Sequence, residues 1–342
     1  MKWITLEAQG RAAYLESATP SCMKTILICC FLINLVNATA QQPRLAQTIP
    51  LEGVQGRIDH MSMDVSGQRL FLAALGNNTI EVVDLKQGKV IRSLSGFSEP
   101  QGVCFVPGFN LLAVANGGDG RCLFFEGATL DPAGILELGD DADNVRYDAT
   151  HKKIMIGYGR GALAVIDPQS KRVTSRISLG AHPESFQMDA DDSRVFVNVP
   201  NNHTINVADL AQAKVIGSYA LGLVAANFPM ALDGANHRLF IGCRLPARLL
   251  VFDTRTGNKI ASLTLHGDCD DLFYDSARKQ IYASCGEGFL DIFSQADPDH
   301  YAATVSVATA EGARTSFFDG AHFYLAVPLR GNQRAEIRDY AF

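Results

Sequence analysis

Ile80-Glu81-Val82-Val83-Asp84 is a short apolar strand closed by an acid, with the turn Lys86-Gln87-Gly88-Lys89 just behind it. The pattern returns as Ala164-Val165-Ile166-Asp167, Ile205-Asn206-Val207-Ala208-Asp209 and Leu249-Leu250-Val251-Phe252-Asp253. Degenerate copies end at Glu126, Ser294 and Asp339, and the successive gaps are 42, 41, 42, 44, 41 and 45 residues. A second marker keeps the same beat at Asp64, Val106, Asp148, Asp189, Asp233, Asp275 and Asp319. Seven units of 40 to 45 residues, each with room for four short strands, imply an all-β, seven-bladed β-propeller. An open β-solenoid is the alternative.

The first unit shows the physics. Met61-Ser62-Met63-Asp64 leads into the polar turn Val65-Ser66-Gly67-Gln68. Arg69 to Ala74 is mostly apolar, and Gly76-Asn77-Asn78 turns the chain because Gly and Asn tolerate positive φ. Thr79 to Asp84 is the third strand, and Val90 to Leu94 alternates faces as a fourth, more exposed one. The last unit offers only Thr315–Asp319, His322–Val327 and Ala335–Tyr340 before the chain ends at Phe342. A spare strand, Arg44 to Pro50, precedes the first unit; pairing it with the last would close the ring and remove both exposed edges. The repeated Asp84, Asp167, Asp209 and Asp253 read as turn-formers, since an Asp side chain bonds the amides just after it.

Ahead of the repeats, Met23-Lys24 is followed by an apolar stretch to Val36 and then Asn37-Ala38-Thr39-Ala40. That is a signal-peptide pattern with cleavage after Ala40, which makes residues 1–22 a spurious extension, 23–40 the signal and 41–342 one propeller domain. The expected product is a soluble bacterial protein, periplasmic or secreted, with no membrane span after cleavage. Three of the 30 Lys/Arg and two of the 36 Asp/Glu precede Gln41, which leaves 27 and 34 and a net charge of −7. Such a balance argues against a nucleic-acid surface. A monomer is expected, and 47% hydrophobic residues suffice for a large core. Five cysteines follow the cleavage site, an odd number that leaves at least one free thiol. Cys269 and Cys285 begin and end a hairpin, so a disulfide between them is open; five buried thiols is the equal alternative. Neither a haem-attachment Cys-x-x-Cys-His nor a Cys-x-x-Cys zinc pair occurs.

The repeat resembles the YVTN, or YncE-like, seven-bladed propellers of bacteria and archaea. Val195-Phe196-Val197-Asn198-Val199-Pro200-Asn201-Asn202-His203-Thr204-Ile205 resembles the first half of that unit, and Phe252-Asp253-Thr254-Arg255-Thr256-Gly257-Asn258-Lys259 the second. Leu112-Ala113-Val114-Ala115-Asn116 is a further copy, and the resemblance spans roughly residues 44 to 342. It implies fold, and it leaves function open among binding proteins and, in wider relatives, lactonases, a lyase, and haem or copper oxidoreductases.

Chemistry should gather where the first strand of each blade starts at the channel. Five residues before the second marker stand Asp59, Gln101, Asp143, Glu184, Phe228, Asp270 and Arg314; neighbours add His60, Asn144, Asn227 and Asp271. Converging carboxylates repel and raise their pKa values or recruit a cation, so Asp59, Asp143, Glu184 and Asp270 are candidate oxygen ligands for Ca²⁺ or Mg²⁺. A water-filled polar channel would need no ligand at all. Around this throat a basic rim is expected from Arg121, Arg160, His182, His203, Arg244, Arg248, His266 and Arg330, with Arg334 beside them. The favoured reading is a non-catalytic scaffold for an unknown small molecule or periplasmic protein. The runner-up is a metal-assisted lactonase or lyase, with His60 as acid or base.

Overall fold

A computed structural model describes residues 42–189 and 193–342 of the chain. The signal at 23–40, the extension at 1–22 and the cleavage point after Ala40 lie outside the described residues.

Seven four-stranded antiparallel sheets make seven blades. Blade 1 consists of β2 (Met61–Asp64), β3 (Arg69–Ala74), β4 (Thr79–Asp84) and β5 (Lys89–Leu94), in that spatial order. The next five blades repeat this meander. Blade 7 has β26 (Thr315–Phe318), β27 (His322–Val327) and β28 (Glu336–Ala341), completed by β1 (Arg44–Pro50) from the other end of the chain. β1 runs antiparallel to β28, with Ile49 opposite Ile337, so the ring is closed by the spare strand.

Burial explains the blade. In β3 the pattern is five buried residues out of six, whereas the outer β5 buries only Leu94. Neighbouring blades press their inner strands face to face: Phe71 and Val82 of blade 1 share a cluster with Phe105 and Val114 of blade 2. The Phe71 and Phe105 rings lie 5.8 Å apart. Ile49 of β1 sits at 0% exposure in the cluster joining blade 7 to blade 1.

The acids that mark the repeat hold turns. Asp84 accepts the Gln87 N–H (2.7 Å), Asp167 that of Ser170 (2.8 Å), Asp209 that of Gln212 (2.8 Å) and Asp253 that of Thr256 (3.1 Å). The Gly76-Asn77-Asn78 turn takes the form of a one-turn 3-10 helix, Leu75–Asn77, ended by Asn78 at φ 58°. Cys269 stands opposite Cys285 in the register of blade 6, as the hairpin reading requires, yet both are free thiols, as are Cys104, Cys122 and Cys243. Among the described residues no helix is long and apolar enough to cross a membrane.

Candidate functional site

Each blade's first strand enters from the channel on the face that carries the loops between blades and between second and third strands. Residues on this entry alternate. The position just before the channel residue is buried in every blade: Ile58, Pro100, Ala142, Pro183, Asn227, Cys269 and Ala313. The channel residue itself then points inward. All seven of these (Asp59, Gln101, Asp143, Glu184, Phe228, Asp270 and Arg314) line one cavity of about 360 Å³. His60, Asn144 and Asp271, one position further on, line it too.

Asn227 does not belong there. It is fully buried, and its side-chain amide donates to Asn198 Oδ1 (2.9 Å) and to the Thr204 carbonyl (3.0 Å), which ties blade 5 to blade 4. Period-two alternation could have excluded it, since it occupies the core-facing position.

The rim also needs correction. His182 and Arg244 reach into the cavity. Arg121 is paired with Asp119, and Arg330 with Glu311 at 3.2 Å. Arg248 donates to Thr264 Oγ1 (3.1 Å), Arg160 is exposed, and His203 caps a 3-10 turn at φ 54°. His266 bonds Asp291 (2.8 Å), stacks on Phe289 and lines a different cavity. Arg334 pairs with Glu52. Of the expected rim, only His182 and Arg244 line the mouth itself.

Three lining residues were not expected: Arg57, Asp141 and Ser185. Arg57 and Asp141 each stand two residues before a channel acid, the same face of an extended segment, and that spacing was a usable signal. Below the mouth, Asp271, His60, Asn144 and Ser185 also line a smaller cavity of about 110 Å³ with the half-buried Arg146. Arg146 Nη2 donates to Ser185 Oγ (2.8 Å), while its Nε has no partner among the described residues. Burial holds its pKa below the usual arginine value.

The charges divide. On one side Arg57 pairs with Asp59 (2.7 Å), and Arg314 joins both Asp268 (2.7 Å) and Asp270 (3.0 Å). Arg244 meets the same two acids and lies 4.0 Å from the centre of the Phe228 ring. On the other side the basic partners of Asp143 among the described residues are imidazoles, His182 Nε2 at 3.7 Å and His60 Nε2 at 3.8 Å. Asp141 lies 3.5 Å from His182 Nδ1 and accepts from Gln101 (3.2 Å). His60 Nε2 is also 3.0 Å from the Asn144 amide.

The titration behaviour follows. Burial, with Asp143 beside it, pushes the Glu184 carboxyl up to about 8. Burial, outweighing the help of His60, lifts Asp271 to about 7. Asp59 rises to about 6 for the same reason, against the pull of His60 and Arg57. Asp141 is also raised by burial, more than His182 offsets. His182 rises to about 9, chiefly through the Asp143 carboxylate. Burial works against the charged His60, but Asp59, Asp143, Asp271 and Asp270 together raise it. Carboxyls held this high are carboxylates short of positive partners.

All four acids of the expected oxygen ring line the mouth, but Asp59 and Asp270 are engaged by arginines. The ligand atoms that do converge, within 4.8 Å of one another, belong to Asp143, His182 and Glu184.

Fold and cavity define a closed seven-bladed β-propeller with an ionisable channel mouth. No family model matches the chain, and no curated protein matches it. Among solved structures it is similar to a chain in the crystal structure of a mitotic checkpoint complex, at 11% identity and TM-score 0.75, over 97% of this chain and 99% of that one. It is also similar to a chain of Kuenenia stuttgartiensis hydrazine synthase, at 16% identity and TM-score 0.70, over 84% and 98%. At such identities the likeness shows the propeller fold alone.

Proposed function

We propose that this propeller is a non-catalytic binding protein of the YncE-like kind, and that its channel mouth takes a small, positively charged ligand. One observation carries the reading: six carboxyl groups line the mouth against three guanidinium groups and two imidazoles. A cation entering there replaces the protons that the empty site must otherwise hold. The test is calorimetric titration of the purified protein with putrescine, and with glutarate as its anionic counterpart of similar length. Saturable binding of putrescine, weakened by Asp143→Asn, supports the reading; binding of glutarate alone, or of neither, overturns it.

A protein partner on the same face is the second reading. Leu223, Leu245 and Leu329, at 98%, 66% and 42% exposure, lie in its loops, where apolar side chains suit a docking surface. Export completes the proposal and rests on the 23–40 pattern; N-terminal sequencing of the exported protein should begin at Gln41, and a start at Met1 would remove this part.

A further inference from the structure

We propose that Asp143, His182 and Glu184 bind one first-row divalent metal ion of the Zn²⁺ or Mn²⁺ class. This rests on the cation reading of the mouth and names the cation's chemistry. Three donors each about 2.1 Å from a common ion lie up to about 4.2 Å apart, so a cluster within 4.8 Å closes by small side-chain rotations.

Two further observations point to a ligand. His182 Nδ1 lies 2.6 Å from the Gly159 carbonyl oxygen. A carbonyl only accepts, so Nδ1 carries a hydrogen, and Nε2, which faces Asp143 Oδ2, is the nitrogen that can exchange its proton for an ion. Metal-binding imidazoles are oriented in this way, one nitrogen tied to a backbone carbonyl and the other presented to the ion. Asp143, for its part, is 5% exposed. Among the described residues its carboxylate has no donor within hydrogen-bonding reach, the two imidazoles standing at 3.7 and 3.8 Å. A buried carboxylate whose nearest cationic groups stand that far off is better served by a closer cation, and the cavity is where one can enter.

The donor set also selects the ion. All-oxygen sites suit Ca²⁺ and Mg²⁺, whereas an imidazole with two carboxylates suits borderline ions. The scaffold is firm: Asp143 lies on β10 (Ala142–Asp148) of blade 3, and the Glu184 N–H is bonded to the Asn198 carbonyl of blade 4 (3.0 Å). The remaining coordination positions open onto the cavity.

The purified protein, stripped by chelator, is titrated with ZnCl₂, MnCl₂, MgCl₂ and CaCl₂. One Zn²⁺ or Mn²⁺ per chain is expected, at least about tenfold tighter than Mg²⁺ or Ca²⁺. His182→Ala should weaken it at least about 100-fold, and His266→Ala, an imidazole outside the cavity, should not. Should His182→Ala fail to fold, the near-isosteric Glu184→Gln is read instead by loss of the visible bands of the Co²⁺-loaded protein. No saturable Zn²⁺ or Mn²⁺ binding, or binding unchanged in His182→Ala and Glu184→Gln, overturns the proposal. If putrescine binds and the metals do not, this inference fails and the cation reading stands; if neither binds, both fail.

Discussion

The two walls of the mouth hold the same kind of residue and treat it differently. On the wall built by blades 5, 6, 7 and 1, Asp59, Asp268 and Asp270 meet Arg57, Arg244 and Arg314 within ion-pair distance. On the wall built by blades 3 and 4, Asp143 meets only imidazoles, and Glu184 is driven up to about 8 by burial and by Asp143. The first wall pairs its acids with guanidinium groups and so reads first as architecture, although burial still lifts Asp59 to about 6. The second draws on none of the mouth's guanidinium groups, which makes it the candidate for a ligand. The difference teaches that an acidic throat is not one feature. Counting carboxylates finds it, but only their partners tell which of them are available.

The largest expected effect comes from unlocking the paired wall at its base. Arg57 and Asp59 follow β1, and Arg314 belongs to blade 7, which β1 completes. Deleting residues 44–50 removes Ile49 from the core and leaves β28 as an open edge. The melting temperature should fall by on the order of 10 °C or more, with aggregation on heating. A truncated protein that melts like the intact one would mean the ring is held without its closing strand.

Next in size is the removal of one partner on the same wall. Arg314→Leu leaves Asp268 and Asp270 to share Arg244. Stranding one partner of a well-buried pair costs about 3–5 kcal/mol. These groups face the wet mouth, and Asp268 has a 40% exposed side chain, so denaturant unfolding should show about 2 kcal/mol. A change under about 0.5 kcal/mol would show that this wall is no more self-sufficient than the other.

A smaller, pH-dependent effect probes the floor of the mouth, at an acid of blade 6 below the paired wall. Asp271 lies between the two cavities, faced by His60, Asp270 and Arg146, and its Oδ2 accepts the Ser316 N–H (2.7 Å). Its carboxyl is raised from 3.8 to about 7, chiefly by burial. A raised carboxyl binds its proton more tightly in the folded state, so this contribution is complete below pH 3.8 and is lost as pH climbs through about 7. Asn cannot ionise. In chelator-treated protein Asp271→Asn should match the parent near pH 4 and exceed it at pH 8, by about 1–2 kcal/mol once lumen hydration is allowed for. Parallel stability curves would place the Asp271 charge in ordinary solvent.

The contrast between the walls also marks what the chain discloses on its face. Ring, blade count and closing strand are legible because they rest on local facts: a period of about 42 residues, apolar strands, and Asp turns whose partners lie two or three residues on. The seven channel positions are legible because every blade spends the same number of residues between mouth and turn. Pairing is not legible. Arg244 and Asp268 are 24 residues apart and on different blades, so only the closed ring makes them neighbours. His182 was placed on the rim because its loop position carries no information on which way the ring turns; the Gly159 carbonyl of the neighbouring blade decides that. Arg146 shares its face with Asn144, two residues before it, and not with Asp143, because the strand is irregular between Ala142 and Val145; no count of channel positions reveals that.

The smallest effect is expected outside both walls, where a charge pair has no cavity to serve. Arg121 and Asp119 form a tight ion pair at the loop edge, with side chains 36% and 24% exposed. By geometry alone it looks as strong as the pair of Arg57 and Asp59. The difference lies with the acids: both arginines reach water, but the Asp59 side chain is only 5% exposed, whereas Asp119 is 24% exposed and screened. Arg121→Ala should therefore leave the denaturant midpoint of unfolding unchanged, at low salt and at high salt alike. It should leave the titration of the mouth with putrescine or Zn²⁺ untouched. If instead it destabilised the protein as much as Arg314→Leu, burial would not be what separates structural pairs from surface ones here. The distinction between a self-satisfied wall and an available one would then have to rest on something other than access to water.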